Sequence, residues 1–199
     1  MKDMAREANI ARVTSETEIM LRINLDGKGV ADISTGIPFM DHMLKLFSAH
    51  GFFDLEIRCK GDLAVDFHHT VEDLGICLGS GLRDALGDKK GIRRYGAATI
   101  PMDDALARVV LDVSNRPFLA YRFDLKRSMA GNFDVDLMKE FFRAVVVHGG
   151  ITMHADLLFG DEPHHAGEAL FKAFARALDE ACATEPRLEG NVPSTKGII

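Results

Sequence analysis

The chain has little with which to build a covalent scaffold. Its 199 residues hold three cysteines, Cys59, Cys77 and Cys182, and no Cys-x-x-Cys pair. That argues against a disulfide framework and a thiolate metal site, and for reduced, buried, intracellular thiols. No apolar run reaches membrane-spanning length, and residues 1–9 mix charges of both signs. Neither a bilayer span nor a secretion signal is therefore expected, and the cytoplasm is the default compartment. Positive charge is not in excess: 24 Lys and Arg against 30 Asp and Glu leave −6. A general nucleic-acid binder, which must neutralise phosphates, is disfavoured. The zincin pattern His-Glu-x-x-His is missing too. What remains is an ordinary globular composition, 47% hydrophobic and 27% charged, long enough to bury a proper core.

What the chain does contain is a motif used twice. His68-His69 is followed by Glu72, and His164-His165 by Glu168. At the start of a helix, residues three and four apart share a face. His68 and Glu72 then project together, while His69 lies about 100° around the helix. One ion rarely takes both adjacent histidines, but two ions, each taking one His from each copy, would use all four. A lone His-His dipeptide is usually a solvated turn; two copies, each leading into an apolar helix, point to metal.

The flanking patterns repeat as well. Alternation marks strands at residues 10–14, 18–25, 30–35 and 53–59, with a hairpin turn at 26–29. Helices are expected over 40–50 and from the first His pair to Gly87. The second half offers strands at 95–100, 106–113, 118–124 and 151–158, with helices at 135–147 and 164–183. Leu170, Phe174 and Leu178 take the places of Leu74, Leu78 and Leu82. His50-Gly51 and His148-Gly149 each end the earlier helix, and the alignment pairs His42 with Glu140. The expected fold is α+β, an internal duplication of a β-β-β-α-β-α unit, each half a four-stranded sheet packed on two helices. Residues 1–9 read as a flexible N-terminus, 10–90 as the first half and 91–187 as the second. Residues 188–199 form a tail, all within one compact domain.

The candidate ligands are His42, His68, His69, Glu72, Glu140, His164, His165 and Glu168. Mixed nitrogen and oxygen donors suit Mn, Fe or Zn, and four protein ligands on a six-coordinate ion leave room for substrate. His154 is a weaker candidate, more simply read as a packed strand residue. Arg93, Arg94, Arg116 and Lys172 are potential anion grips. In the tail, Ser194, Thr195, Lys196 and Gly197 suit a phosphate, although a disordered terminus is the plainer reading. Glu16 is either a solvated carboxylate or an acid/base.

Together these stretches resemble the imidazoleglycerol-phosphate dehydratase family. The likeness runs through Arg-Val-Thr-Ser-Glu-Thr (12–17), Thr-Gly-Ile-Pro-Phe-Met-Asp-His-Met-Leu (35–44) and Gly-Asp-Leu-Ala-Val-Asp-Phe-His-His-Thr-Val-Glu-Asp (61–73). It continues through Arg-Tyr-Gly (94–96), Pro-Met-Asp-Asp-Ala-Leu (101–106), Ser-Asn-Arg-Pro (114–117), Phe-Lys-Ala-Phe (171–174) and Pro-Ser-Thr-Lys-Gly (193–197). The resemblance implies dehydration of a small phosphorylated imidazole substrate in histidine biosynthesis. It implies two Mn2+ ions per active site, held by His42, His68, His69, Glu72, His164, His165 and Glu168. Arg94, Arg116, Ser194, Thr195 and Lys196 would hold the phosphate, with Lys172 helping. His42, His50, His68 and Glu16 would contact substrate, and Glu16, Glu72 or Glu168 would move the proton. It further implies a homo-oligomer of about 24 subunits built from trimers, with sites between subunits. Glu140 stands where many members place a histidine, and Phe67 where an Asp is frequent. A dinuclear phosphate-ester hydrolase and a metal-assembled structural protein are the rival readings.

Overall fold

Strand alternation decides which side of each sheet is buried. In β2 (Thr17–Asn24), Thr17, Ile19, Leu21 and Ile23 are buried, while Glu18, Met20 and Arg22 face outward, as a period of two requires. The structure, a computed structural model, describes residues 6–197 and 199. The first unit comprises β1 (Glu7–Val13), β2, β3 (Ala31–Ser34), α1 (Pro38–Gly51), β4 (Asp54–Gly61) and α2 (His68–Leu86). The second comprises β5 (Tyr95–Met102), β6 (Ala105–Asp112), β7 (Phe118–Arg122), α3 (Leu137–Gly149), β10 (Thr152–Phe159) and α4 (Pro163–Cys182). A small hairpin, β8 (Met129–Ala130) and β9 (Phe133–Asp134), is inserted before α3.

The strand orders are β1-β2-β4-β3 and β5-β6-β10-β7. In each sheet the last strand runs parallel to its neighbour and the other pairs are antiparallel. The duplicated α+β unit is therefore the fold. Its helices interleave: α2 lies on the first sheet and against α3, and α4 lies on the second sheet and against α1. Between them Phe47, Phe141, Phe142, Phe171 and Phe174 are fully buried, with ring centroids 5.0 to 5.4 Å apart. Leu74, Leu78 and Leu82 are buried, as are Leu170, Phe174 and Leu178. Cys77 and Cys182 are buried and Cys59 partly so, all as free thiols. Among the described residues no helix is long and apolar enough to cross a membrane.

Several local expectations are corrected. Residues 26–29 do not close a hairpin, because β4 comes between β2 and β3. Asp54 Oδ1 accepts from the backbone N–H of Lys28 and of Val30, at 2.8 and 2.9 Å, so the connection wraps the start of β4. The first strand opens at Glu7 and pairs with Asn24, so residues 7–9 are sheet rather than free N-terminus. The expectation for residues 1–5 lies outside the described residues. Pro101 belongs to β5, an edge strand where its missing N–H is tolerated, and the turn is Asp103-Asp104.

The seam between α2 and α3 is closed by missing side chains. A Cβ on Gly79 would stand 2.6 Å from the carbonyl oxygen of Val145, and one on Gly75 would meet that of Phe141. The corresponding positions in α4 are Ala175 and Phe171, so only one copy permits this approach. Helix propensity alone predicts that Gly79→Ala stabilises by about 1 kcal/mol. Backbone overlap costs more, about 1–3 kcal/mol for overpacking. A lowered chemical-denaturation midpoint is the expected result; a raised one would show that the helices are not in contact there.

Candidate functional site

The His pairs open α2 and α4, and sequence-local caps hold both starts. Asp66 Oδ1 accepts from the His68 N–H at 2.7 Å, and Glu162 accepts from the His165 N–H at 2.7 Å. Ahead of α1, Asp41 Oδ1 accepts from Thr35 N and Oγ1 at 2.8 and 2.6 Å, across a Gly36 with φ of 81°. This fixes the turn that presents His42. His42 Nε2 and His164 Nε2 then lie 2.8 and 3.1 Å from Glu168 Oε1. The ligand atoms of these three residues all fall within 4.8 Å of one another. The other Glu168 oxygen accepts from Lys172 Nζ at 2.6 Å. Burial alone would raise the pKa of Glu168, but Lys172, His42 and His164 outweigh it and bring the carboxyl down to about 2. The donor set, two imidazoles and an anionic carboxylate, fits a borderline divalent cation such as Mn, Fe or Zn.

The matching candidate residues of the other copy do not converge. His68 Nε2 and Glu72 are 3.6 Å apart, whereas Glu140 pairs with Arg143 on its own helix. Among the described residues, His42, His164 and Glu168 form the one group of three metal-capable side chains. The second histidine of each pair turns away from the first, with interplanar angles of 86° and 89°. A carboxylate holds each at Nδ1: Asp62 on His69 at 2.9 Å and Asp104 on His165 at 2.6 Å. These contacts raise both histidine pKa values. They leave Nε2 outward, 3.8 Å from Glu16 for His69 and 3.7 Å from Asp103 for His165. Such carboxylate–imidazole pairs are the usual support of a metal ligand. The sequence analysis singled out neither Asp62 nor Asp104.

Most of the anion grips gather elsewhere. Arg94, Tyr95, Arg116, Ser194, Thr195 and Lys196 line one cavity of about 520 Å³. Arg94, buried and at a φ of 75°, forks onto Asp112 at 2.6 and 3.1 Å and donates to the Pro193 carbonyl at 2.8 Å. Arg116 reaches the same Asp112 at 3.4 Å. The tail is thus docked, helped by Gly91 N donating to Asn191 O at 2.9 Å. Asp112, unflagged by sequence, orders both arginines. Lys172 is not among the cavity residues, because its i,i+4 spacing sets it on Glu168. His50, at the end of α1, is half-buried; burial, then Lys172 and Arg176, lower its pKa. His154 is exposed on the outer face of the second sheet against Phe118.

The family model for imidazoleglycerol-phosphate dehydratase matches residues 35–178. Over 194 residues the chain is 55% identical to the imidazoleglycerol-phosphate dehydratase of Geobacter metallireducens, covering 98% of this chain and 99% of that one. The chain belongs to the imidazoleglycerol-phosphate dehydratase family. By family it is a hydro-lyase of histidine biosynthesis. The Acetivibrio thermocellus dehydratase is 53% identical over 196 residues, 98% of this chain and all of that one. Among solved structures, the Staphylococcus aureus dehydratase superposes with a TM-score of 0.82 at 41% identity, over 90% of this chain and 99% of that one. The Pyrococcus furiosus structure, in complex with (S)-C348, gives 0.83 at 35% identity over 96% and 100%.

In this dehydratase-family chain the two clusters occupy opposite ends. Arg94 N donates to Ala181 O at the C-terminal end of α4, whereas Glu168 sits near its start. At about 1.5 Å per residue, the helix puts roughly 20 Å between them. Arg94 spans carboxylate and tail at once, which a lysine cannot do. Arg94→Lys is therefore expected to speed hydrogen exchange or proteolysis of residues 192–197 while exchange in α2 and α4 is unchanged. Unaltered tail protection would show that Arg94 does not hold it.

Proposed function

We propose that the chain dehydrates imidazoleglycerol phosphate to imidazole acetol phosphate, at sites completed between copies of itself. The observation that carries this is the separation of the two clusters. Five bonds from ring to phosphorus span only about 6 Å at roughly 1.5 Å per C–C bond. One substrate cannot reach from Glu168 to Arg94 within a chain. An assembly in which the helix starts of one copy meet the tail cavity of another removes the difficulty. It also gives partners to the half-formed set of His68, Glu72 and Glu140, and to the outward Nε2 atoms of His69 and His165. A closed homo-oligomer with such shared sites is the expected state.

The metal proposed is manganese, two ions per site. His42, His164 and Glu168 would supply ligands, as would His68, His69, Glu72 and His165, with Glu140 in the place of His42. When bound, the cations supply positive charge that stabilises electron density on the imidazole ring, which makes the adjacent hydroxyl easier to expel. The chain supplies the remainder. Arg94, Arg116, Ser194, Thr195 and Lys196 grip the phosphate and so set which carbon faces the carboxylates. The hydroxyl leaves the carbon beside the ring, and a proton leaves the next carbon. Glu16, exposed and 3.8 Å from His69 Nε2, is the acid/base assigned to that proton. Glu72 and Glu168 are the other carboxylates at the helix starts. The enol that results tautomerises to the ketone.

Metal-stripped protein should turn over imidazoleglycerol phosphate only when manganese is restored, giving ketone with phosphate still attached. Release of inorganic phosphate would support a hydrolase instead, and assembly without turnover a structural metal. Glu16→Gln should lose about 100-fold or more in kcat, the usual scale for an acid/base group, with manganese content unchanged. Near-parental turnover by that variant would remove Glu16 from the role.

A further inference from the structure

The segment bearing Glu16 is tied to the metal-binding helix by a contact that no ligand explains. Asp73 follows Glu72 directly and is buried, at 6% exposure. Its carboxylate accepts from Thr17 Oγ1 at 2.5 Å through one oxygen. The other oxygen pairs with Arg12 Nη2 at 2.9 Å. Arg12 lies one residue before the end of β1 and Thr17 opens β2, so one side chain clamps both legs of the turn that carries Glu16. Inside the turn, Thr14 Oγ1 accepts from the backbone N–H of Glu16 and of Thr17, at 3.1 and 3.0 Å.

The second copy serves as an internal control. The residue corresponding to Asp73 is Ala169, directly after Glu168. The corresponding turn, Asp103-Asp104, is instead held through its own Asp104 to His165. Helix packing alone does not need a carboxylate at this position, because α4 packs with alanine there, fully buried. The carboxylate is present only where the turn also carries Glu16.

We infer that Asp73 is a positioning residue that fixes the Glu16 turn relative to the His68-His69 helix start, with Arg12 and Thr17 as its two handles. The inference rests on the acid/base reading of Glu16. Misplacing a reacting group by about 1 Å costs on the order of 100-fold, so a buried clamp is worth its desolvation only if the turn must not drift.

The test is steady-state turnover of the manganese-loaded assembly, with metal content measured alongside. Asp73→Asn should lower kcat about 10- to 100-fold, leave KM within about twofold and retain its manganese. Thr17→Val should show a smaller loss of the same kind, and Thr17→Ser, which keeps the hydroxyl, should restore the parental rate. Set against the residual turnover of Glu16→Gln, Asp73→Asn should cause no further loss, because two residues acting through one step are not additive. The same loss in both backgrounds, a loss of manganese, or an unchanged kcat in Asp73→Asn overturns the inference. If Glu16→Gln is inactive while Asp73→Asn runs at full rate, the acid/base reading stands and the clamp alone falls. If Glu16→Gln runs at full rate, both fall.

Discussion

The antiparallel course of β5 along α4 sets the distances on which the rest of the molecule depends. The strand can lie that close because Gly96 has no Cβ to meet the Ala177 carbonyl. Its first residues follow Arg94, beside the end of the helix. Its last, Met102, is met at 3.2 Å by Lys172 from the middle of the helix, and the turn beyond it holds His165 near the helix start. A rigid strand on a rigid helix thus keeps the anion cavity and the imidazole–carboxylate cluster apart by more than a substrate's length. No side-chain rotamer within the chain closes that gap, and this is what supports the proposal that a catalytic unit draws on a second copy.

Duplication explains the symmetry of the His pairs, and divergence the contacts that each copy makes. Two sheets of identical strand order bring two His pairs to helix starts. The copies then differ at a few positions with large consequences. Gly75 against Phe171 lets α2 lie on α3 while an aromatic ring fills the corresponding space along α4. His42 against Glu140 leaves one candidate cluster gathered and the other open. Asp73 against Ala169 clamps one hairpin turn to the buried face of its helix, whereas the other turn is held by Asp104 on His165. Each exchange alters a local contact without disturbing the sheets, whose inner faces are apolar in both halves.

Much of this was legible because the signals are local. The His-His-x-x-Glu spacing, the helix ends at His50-Gly51 and His148-Gly149, and the alternation of residues 18–25 depend on neighbours along the chain. What could not be read depends on residues far apart in sequence. The order of β2, β3 and β4 turns on Asp54 gripping Lys28 and Val30. The orienting carboxylates Asp62 and Asp104 lack a fixed spacing from the histidines they hold. Asp112 looks like the end of a strand until Arg94 and Arg116 are seen to share it. Lys172 is different: its place one turn after Glu168 is a local signal, but that its ammonium pairs with that carboxylate shows only in the structure. The tail's Ser194 and Lys196 suit a phosphate by chemistry, but composition could not tell a docked segment from a free one.

If one copy's helix starts work with another copy's tail cavity, complementation between inactive variants will restore activity. His164→Ala damages the helix-start cluster and Lys196→Ala the cavity, and each alone should be nearly inactive. When the two are dissociated, mixed and reassembled, some sites will draw both intact halves from different chains, and turnover should reappear above the sum of the separate variants. Mixed assemblies that form but stay inactive would mean that each chain builds its site alone, and the account would be wrong.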